Sequence, residues 1–145
     1  MTRLADAAVD IKVRLAALWA ATMACYIYCD YFELYVPGKL DSMLAGTMGP
    51  LGAVTQGVLL GTAVLMAVPS LMIALSVLLP ARPNQLLNLV VGALYTALLA
   101  LLAVTAGWYF YKLFAAIEAA LTLAIVVLAW RWPRAEPATR PEAAA

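Results

Sequence analysis

The chain has 145 residues, 66% of them hydrophobic and only 12% charged, with a formal net charge of +1 and no histidine. A soluble domain is about half apolar, so this composition, with a mean hydropathy of +0.94, is that of a membrane protein. The absence of a Lys/Arg block argues against nucleic acid as a partner, and the absence of histidine removes His-based metal sites, a Ser/His/Asp triad and an imidazole proton relay.

Residues 3–14 carry Arg3, Asp6, Asp10, Lys12 and Arg14 among apolar neighbours. They read as a cytoplasmic extension of the first helix, with Asp10 and Arg14 at a favourable i, i+4 spacing. Two aspartates precede the apolar core, which runs on to Val36, so a cleaved signal peptide fits poorly. The first span covers roughly 13–35, enough at about 1.5 Å per residue to cross the hydrocarbon. Pro37, Gly38, Gly46, Gly49, Pro50 and Gly52 then punctuate a loop in which Leu40, Met43 and Leu44 suggest a short interfacial helix.

The second span covers roughly 52–79 and contains Pro69, which removes a backbone bond to Leu65 and predicts a kink or tilt. A tight turn, Pro80 to Pro83, leads to a third span at roughly 84–106, with Asn84, Gln85 and Asn88 at its entrance. The fourth runs from about 109 to 130 and ends in the interfacial anchor Trp130-Arg131-Trp132. Residues 1–132 thus form a single all-α domain, an up-and-down four-helix bundle in the membrane, and 133–145 form a disordered cytoplasmic tail. With both termini cytoplasmic, Arg3, Lys12, Arg14, Arg82, Arg131, Arg134 and Arg140 lie inside, and only Lys39 and Lys112 outside. This positive-inside bias sets the orientation, and a bacterial inner membrane is the expected location.

Tyr26, Asp30 and Glu33 share one face of the first helix with Trp19, Thr22 and Cys29, while Tyr28, Tyr31 and Tyr35 point the other way and suit a headgroup belt. Gln56 lies one turn into the second span from the outside, and Glu118 about 10 Å into the fourth, on a stripe with Tyr111. Tyr26, Asp30, Glu33, Gln56, Tyr111 and Glu118 are therefore the candidate ligand-binding residues, gathered below the periplasmic surface. Desolvation and mutual repulsion keep three acids from all carrying charge there, so the site suits a proton, a cation or a protonated amine. The competing reading pairs Glu33 with Lys39 or Lys112 and makes Asp30 and Glu118 packing groups.

Gly57 and Gly61 form a small-xxx-small pair for helix packing, as do Ala17, Ala21, Cys25 and Cys29. No nucleotide loop, metal motif or nucleophile–base pair is present, so no enzyme activity, cofactor or metal is expected. The expected function is binding, and through it transport, of a cation or small amphipathic ligand, in a homo-oligomer if a transport path is needed. The alternative is an accessory subunit packed against a larger membrane complex.

Several short motifs between residues 14 and 132 resemble a family of small four-span bacterial membrane proteins known only as a domain of unknown function. They are Leu18-Trp19, Tyr28 to Asp30, Gly46-Thr47, Thr55-Gln56-Gly57, Met66 to Pro69, Leu79-Pro80 and Ala116-Ile117-Glu118. The resemblance implies the architecture and no activity. That family has an acid just before the second-span proline, where this chain has Ala67 and Val68, so no role of such an acid carries over.

Overall fold

A computed structural model describes residues 7–134; Arg3, Asp6 and the tail from 135 on, including Arg140, lie outside the described residues. Five α-helices follow one another: α1 (Ile11–Glu33), α2 (Lys39–Leu44), α3 (Gln56–Leu78), α4 (Ala81–Thr105) and α5 (Tyr109–Trp130). All but α2 are long and apolar enough to cross a membrane. They run up and down, so that the start of α1 and the end of α5 share one end of the bundle, here the terminal end. The loop between α1 and α3 covers the other, the loop end.

Local chemistry sets the helix ends. Asp10 caps α1, its carboxylate accepting the Lys12 backbone N–H at 2.8 Å. Residues 7–10 are not helical, so the expected extension of the first helix is absent there, and Asp10 serves as a cap instead of pairing with Arg14. Thr55 caps α3 by accepting from the Val58 N–H at 3.2 Å. Asn84, Gln85 and Asn88, expected at a helix entrance, lie inside α4, which begins at Ala81 with Pro83 in its first turn.

Around the bundle the order is α1, α3, α4, α5. The α4–α5 seam is the most extensive, α1 packs on both α3 and α5, and α3 and α4 touch only sparsely. Gly92 explains the tight seam. A Cβ there would sit 3.0 Å from Val126 Cγ2 and 3.4 Å from Ile125 Cγ2, so any larger residue would require these side chains to shift for α4 to lie this close to α5. Gly57 and Gly61, expected to serve helix packing, are both exposed, and no atom of another helix lies within 4 Å of a Cβ built at either. Ala17 and Ala21 of the second small-residue ridge are exposed as well. Spacing alone marks small residues without saying which face meets a neighbour.

Two buried clusters hold the bundle. Leu15, Trp19, Met72 and Ile125 form the core of the terminal half, and Tyr26, Tyr95 and Leu99 that of the loop half. Between α1, α3 and α4 the terminal half also encloses a polar network. Trp19 Nε1 donates to Asn88 Oδ1 at 2.8 Å, and the Ser76 hydroxyl donates to the same oxygen at 3.3 Å. The Asn88 amide donates to Asn84 Oδ1 at 2.7 Å, and the Asn84 amide to the Ser76 carbonyl at 2.6 Å. Hydrocarbon offers these groups no other partner, so the network fixes which faces of the three helices meet.

Pro69 supplies a third constraint. The helix runs through it, but the Leu65 carbonyl loses its intrahelical donor. The Tyr95 hydroxyl of α4 donates to that carbonyl, and the Tyr95 ring stands edge-on to Trp19 with centroids 6.1 Å apart. The buried residues of α3 are Pro69, Met72 and Ser76; none lies between Gln56 and Val68. The loop-end half of α3 is therefore packed more loosely, with only Met66 and Val68 partly buried against the loop-half cluster.

Asn88→Ala strands the Trp19 N–H, the Ser76 hydroxyl and the Asn84 side chain together, and is expected to cost about 1–3 kcal/mol. Tyr95→Phe removes one hydrogen bond and is expected to cost about 0.6–1.7 kcal/mol. Unfolding titrations in mixed micelles measure both losses, and the Asn88 variant should show the larger.

Candidate functional site

The parting of α3 from α4 leaves a cavity of about 290 Å³ at the loop end, close to the lower range of small-molecule sites. All four long helices contribute to it. Tyr26, Cys29 and Asp30 come from α1 at helical spacing, Leu65 and Met66 from α3, Leu98, Leu99 and Leu102 from α4, and Tyr111, Ala115 and Glu118 from α5. Pro50 and Leu51 of the loop also line it. They sit in a single 3₁₀ turn between Gly49 and Gly52, at φ of +46° and +76°, a backbone that glycine adopts without strain.

Glu118 is the unusual member. It is 3% exposed, and its Oε1 is buried with no hydrogen-bond partner among the described residues. Its backbone carbonyl is occupied, accepting from the Thr122 hydroxyl at 2.9 Å. An unpaired carboxylate in such surroundings is costly, so this group takes a proton or a cationic partner. Asp30 lines the same cavity but is exposed, which places it at the mouth. Around the two acids the walls are leucine, methionine and tyrosine, the latter offering both ring faces and hydroxyls.

Of the six candidate residues, Tyr26, Asp30, Tyr111 and Glu118 are brought together on this cavity, and two lie elsewhere. Glu33 is held by Lys39, whose Nζ lies 2.7 Å from Oε1, and it lines a neighbouring hollow of about 450 Å³ that shares Tyr111 and Pro50. This is the only ion pair among the described residues. Gln56, the first residue of α3, is exposed and does not line the cavity. Lys112 lies 6.0 Å from the ring centroid of Tyr109. Tyr28, Tyr31 and Tyr35 are exposed on the outer side of α1 and the following turn, with the Tyr31 and Tyr35 hydroxyls 2.9 Å apart. Cys25 and Cys29 are free thiols.

Tyr95 and the loop turn at Pro50-Leu51 belong to the site's frame and were not among the candidates. Tyr95 had a signal in the sequence, since the proline at 69 leaves a carbonyl that calls for a donor from a neighbouring span at the same depth. Pro50 and Leu51 had none, because their position depends on how the loop folds back.

Residues 6–139 match DUF6326, described as a family of unknown function. The chain belongs to that family. The match spans all four long helices, and with them the cavity and its acids. No curated protein matches the chain, nor does any solved structure. Four apolar helices in a member of this family make it a multi-pass membrane protein.

A protonated carboxyl in an apolar pocket is the preferred target of a hydrophobic carbodiimide. Dicyclohexylcarbodiimide is expected to modify Glu118 and to spare Glu33, whose carboxylate is engaged by Lys39. Peptide mass mapping of the labelled protein reads this out, and Glu118→Gln should abolish the modification. Equal labelling of both acids would contradict the assigned environments.

Proposed function

We propose that this family member binds a small organic cation, such as a protonated amine with an apolar body, in the loop-end cavity. The observation that carries the reading is Glu118, buried in the cavity wall with an oxygen that nothing among the described residues satisfies. A cationic head there replaces the proton or counter-charge that the carboxylate otherwise lacks. Asp30 at the mouth attracts the cation, tyrosine faces accommodate it, and the leucine walls take the apolar body. The protein is read as a binder and not an enzyme. Its terminal end, with most of the basic residues, is read as cytoplasmic in a bacterial inner membrane, so that the cavity faces the periplasm. Four helices enclose little volume, and a transport path across the bilayer would need a second copy.

Benzylamine is a suitable probe, titrated calorimetrically into the protein in lipid nanodiscs. Losing a charge-assisted contact should weaken binding at least about tenfold in Glu118→Gln and less in Asp30→Asn. Glu33→Gln should leave affinity unchanged, and the neutral benzyl alcohol should bind about tenfold more weakly than the amine. Wild-type affinity in Glu118→Gln would refute the reading.

A second reading, an accessory subunit of a larger membrane complex, is favoured by the exposed Gly57/Gly61 face of α3, which meets no other helix among the described residues. It predicts a partner that co-purifies from native membranes in mild detergent and is lost with Gly61→Leu.

A further inference from the structure

Charge is unevenly divided between the two ends of the bundle. Of the seven Lys and Arg residues described, Lys12, Arg14, Arg82, Arg131 and Arg134 lie at the terminal end, with Asp10 as the sole described acid there. Asp10 is engaged as a helix cap, and Lys12 Nζ donates to the Val77 carbonyl at 3.3 Å. Arg14 is exposed and forms no ion pair among the described residues. It stands at one end of an outward-facing groove of about 760 Å³ between α1 and α5. Apart from Arg14 the groove is apolar, its alanines, Ala17, Ala120 and Ala124, leaving room between leucines such as Leu123 and Leu128. From Leu128 to Ala120 it follows α5 for about 12 Å toward the middle of the span.

An apolar channel of this kind on a membrane-facing surface is filled by a lipid chain, and any lipid could do so. A guanidinium at its headgroup end adds selection, because it pairs with a phosphate through two parallel N–H···O bonds. The surrounding Lys and Arg residues disfavour a headgroup that brings its own positive charge. The aromatic groove at the loop end, formed by Phe32, Tyr35, Trp108 and Phe114 among others, has no cation in its lining and lacks this second feature. We infer that the α1–α5 groove is a binding site for an anionic phospholipid, one acyl chain lying along the alanines and the phosphate resting on Arg14. The site is on a different face from the cavity and does not depend on the proposed function.

The test uses the full chain in nanodiscs of equal parts phosphatidylglycerol and phosphatidylcholine, with co-released lipids counted by native mass spectrometry. The wild type is expected to retain phosphatidylglycerol about tenfold over phosphatidylcholine. Arg14→Gln should bring the two to parity, while Arg134→Gln should keep the preference. Ala124→Leu, which fills the groove, should reduce retention of both lipids. A wild type without preference, or an Arg14→Gln protein that keeps it, overturns the inference. Arg14 is exposed, so its variant is decisive even where the groove-filling protein fails to fold.

Discussion

Hydrocarbon cannot hydrogen-bond to a polar group, and the arrangement of the four spans follows from how each such group is answered. Thr22, Thr96 and Thr122 turn their hydroxyls onto carbonyls of their own helices. Trp19, Ser76, Asn84 and Asn88 answer one another across three helices. Gln85 reaches the Ala129 carbonyl at 2.9 Å and ties α4 to the end of α5. Even the carbonyl that Pro69 orphans finds the Tyr95 hydroxyl. Against that economy Glu118 stands out, its Oε1 left without a partner among the described residues, which is why the proposed function rests on it and not on the larger number of acids and tyrosines on α1.

The same bonds explain why the cavity lies where it does. The asparagine network closes the terminal half, where α3 and α4 leave their tight turn, and the Tyr95 bond makes a last tie at Leu65. Beyond it α3 has no buried residue, so the two helices part and the space between them is lined from four helices and a loop. Gly92 contributes from the opposite side. Its lack of a side chain lets α4 lie close to α5 at Ile125 and Val126, while α3 and α4 touch only sparsely.

Much of this was legible in the residues. Hydropathy gives four spans, and the last coincides with α5, because Gly107 and Trp130 bracket an uninterrupted apolar run. Helical spacing separates the buried Tyr26 and Cys29 from the exposed Tyr28 and Tyr31, and the topology brings Tyr111 and Glu118 to the same level. What spacing does not encode is the neighbour. Gly57 and Gly61 look more like packing residues than the isolated Gly92, yet Gly92 makes the close approach. Asn84 and Asn88 look like the polar start of a helix, yet they are wholly buried because Trp19 and Ser76 face them. Glu33 falls on the acidic face, but the turn after α1 returns Lys39 to it.

The position of Glu118 in the last span has a consequence for how the protein is made. The three long helices that precede it in the chain carry Tyr26, Asp30, Leu65 and the leucines of α4 that line the cavity, while Tyr111 and Ala115 come with Glu118 on α5. The buried acid is thus synthesised after the groups of α1, α3 and α4 that face it across the cavity. Until α5 is made, α4 lacks the partner against which Gly92 fits, so the α4–α5 seam and the cavity wall are completed by the same helix.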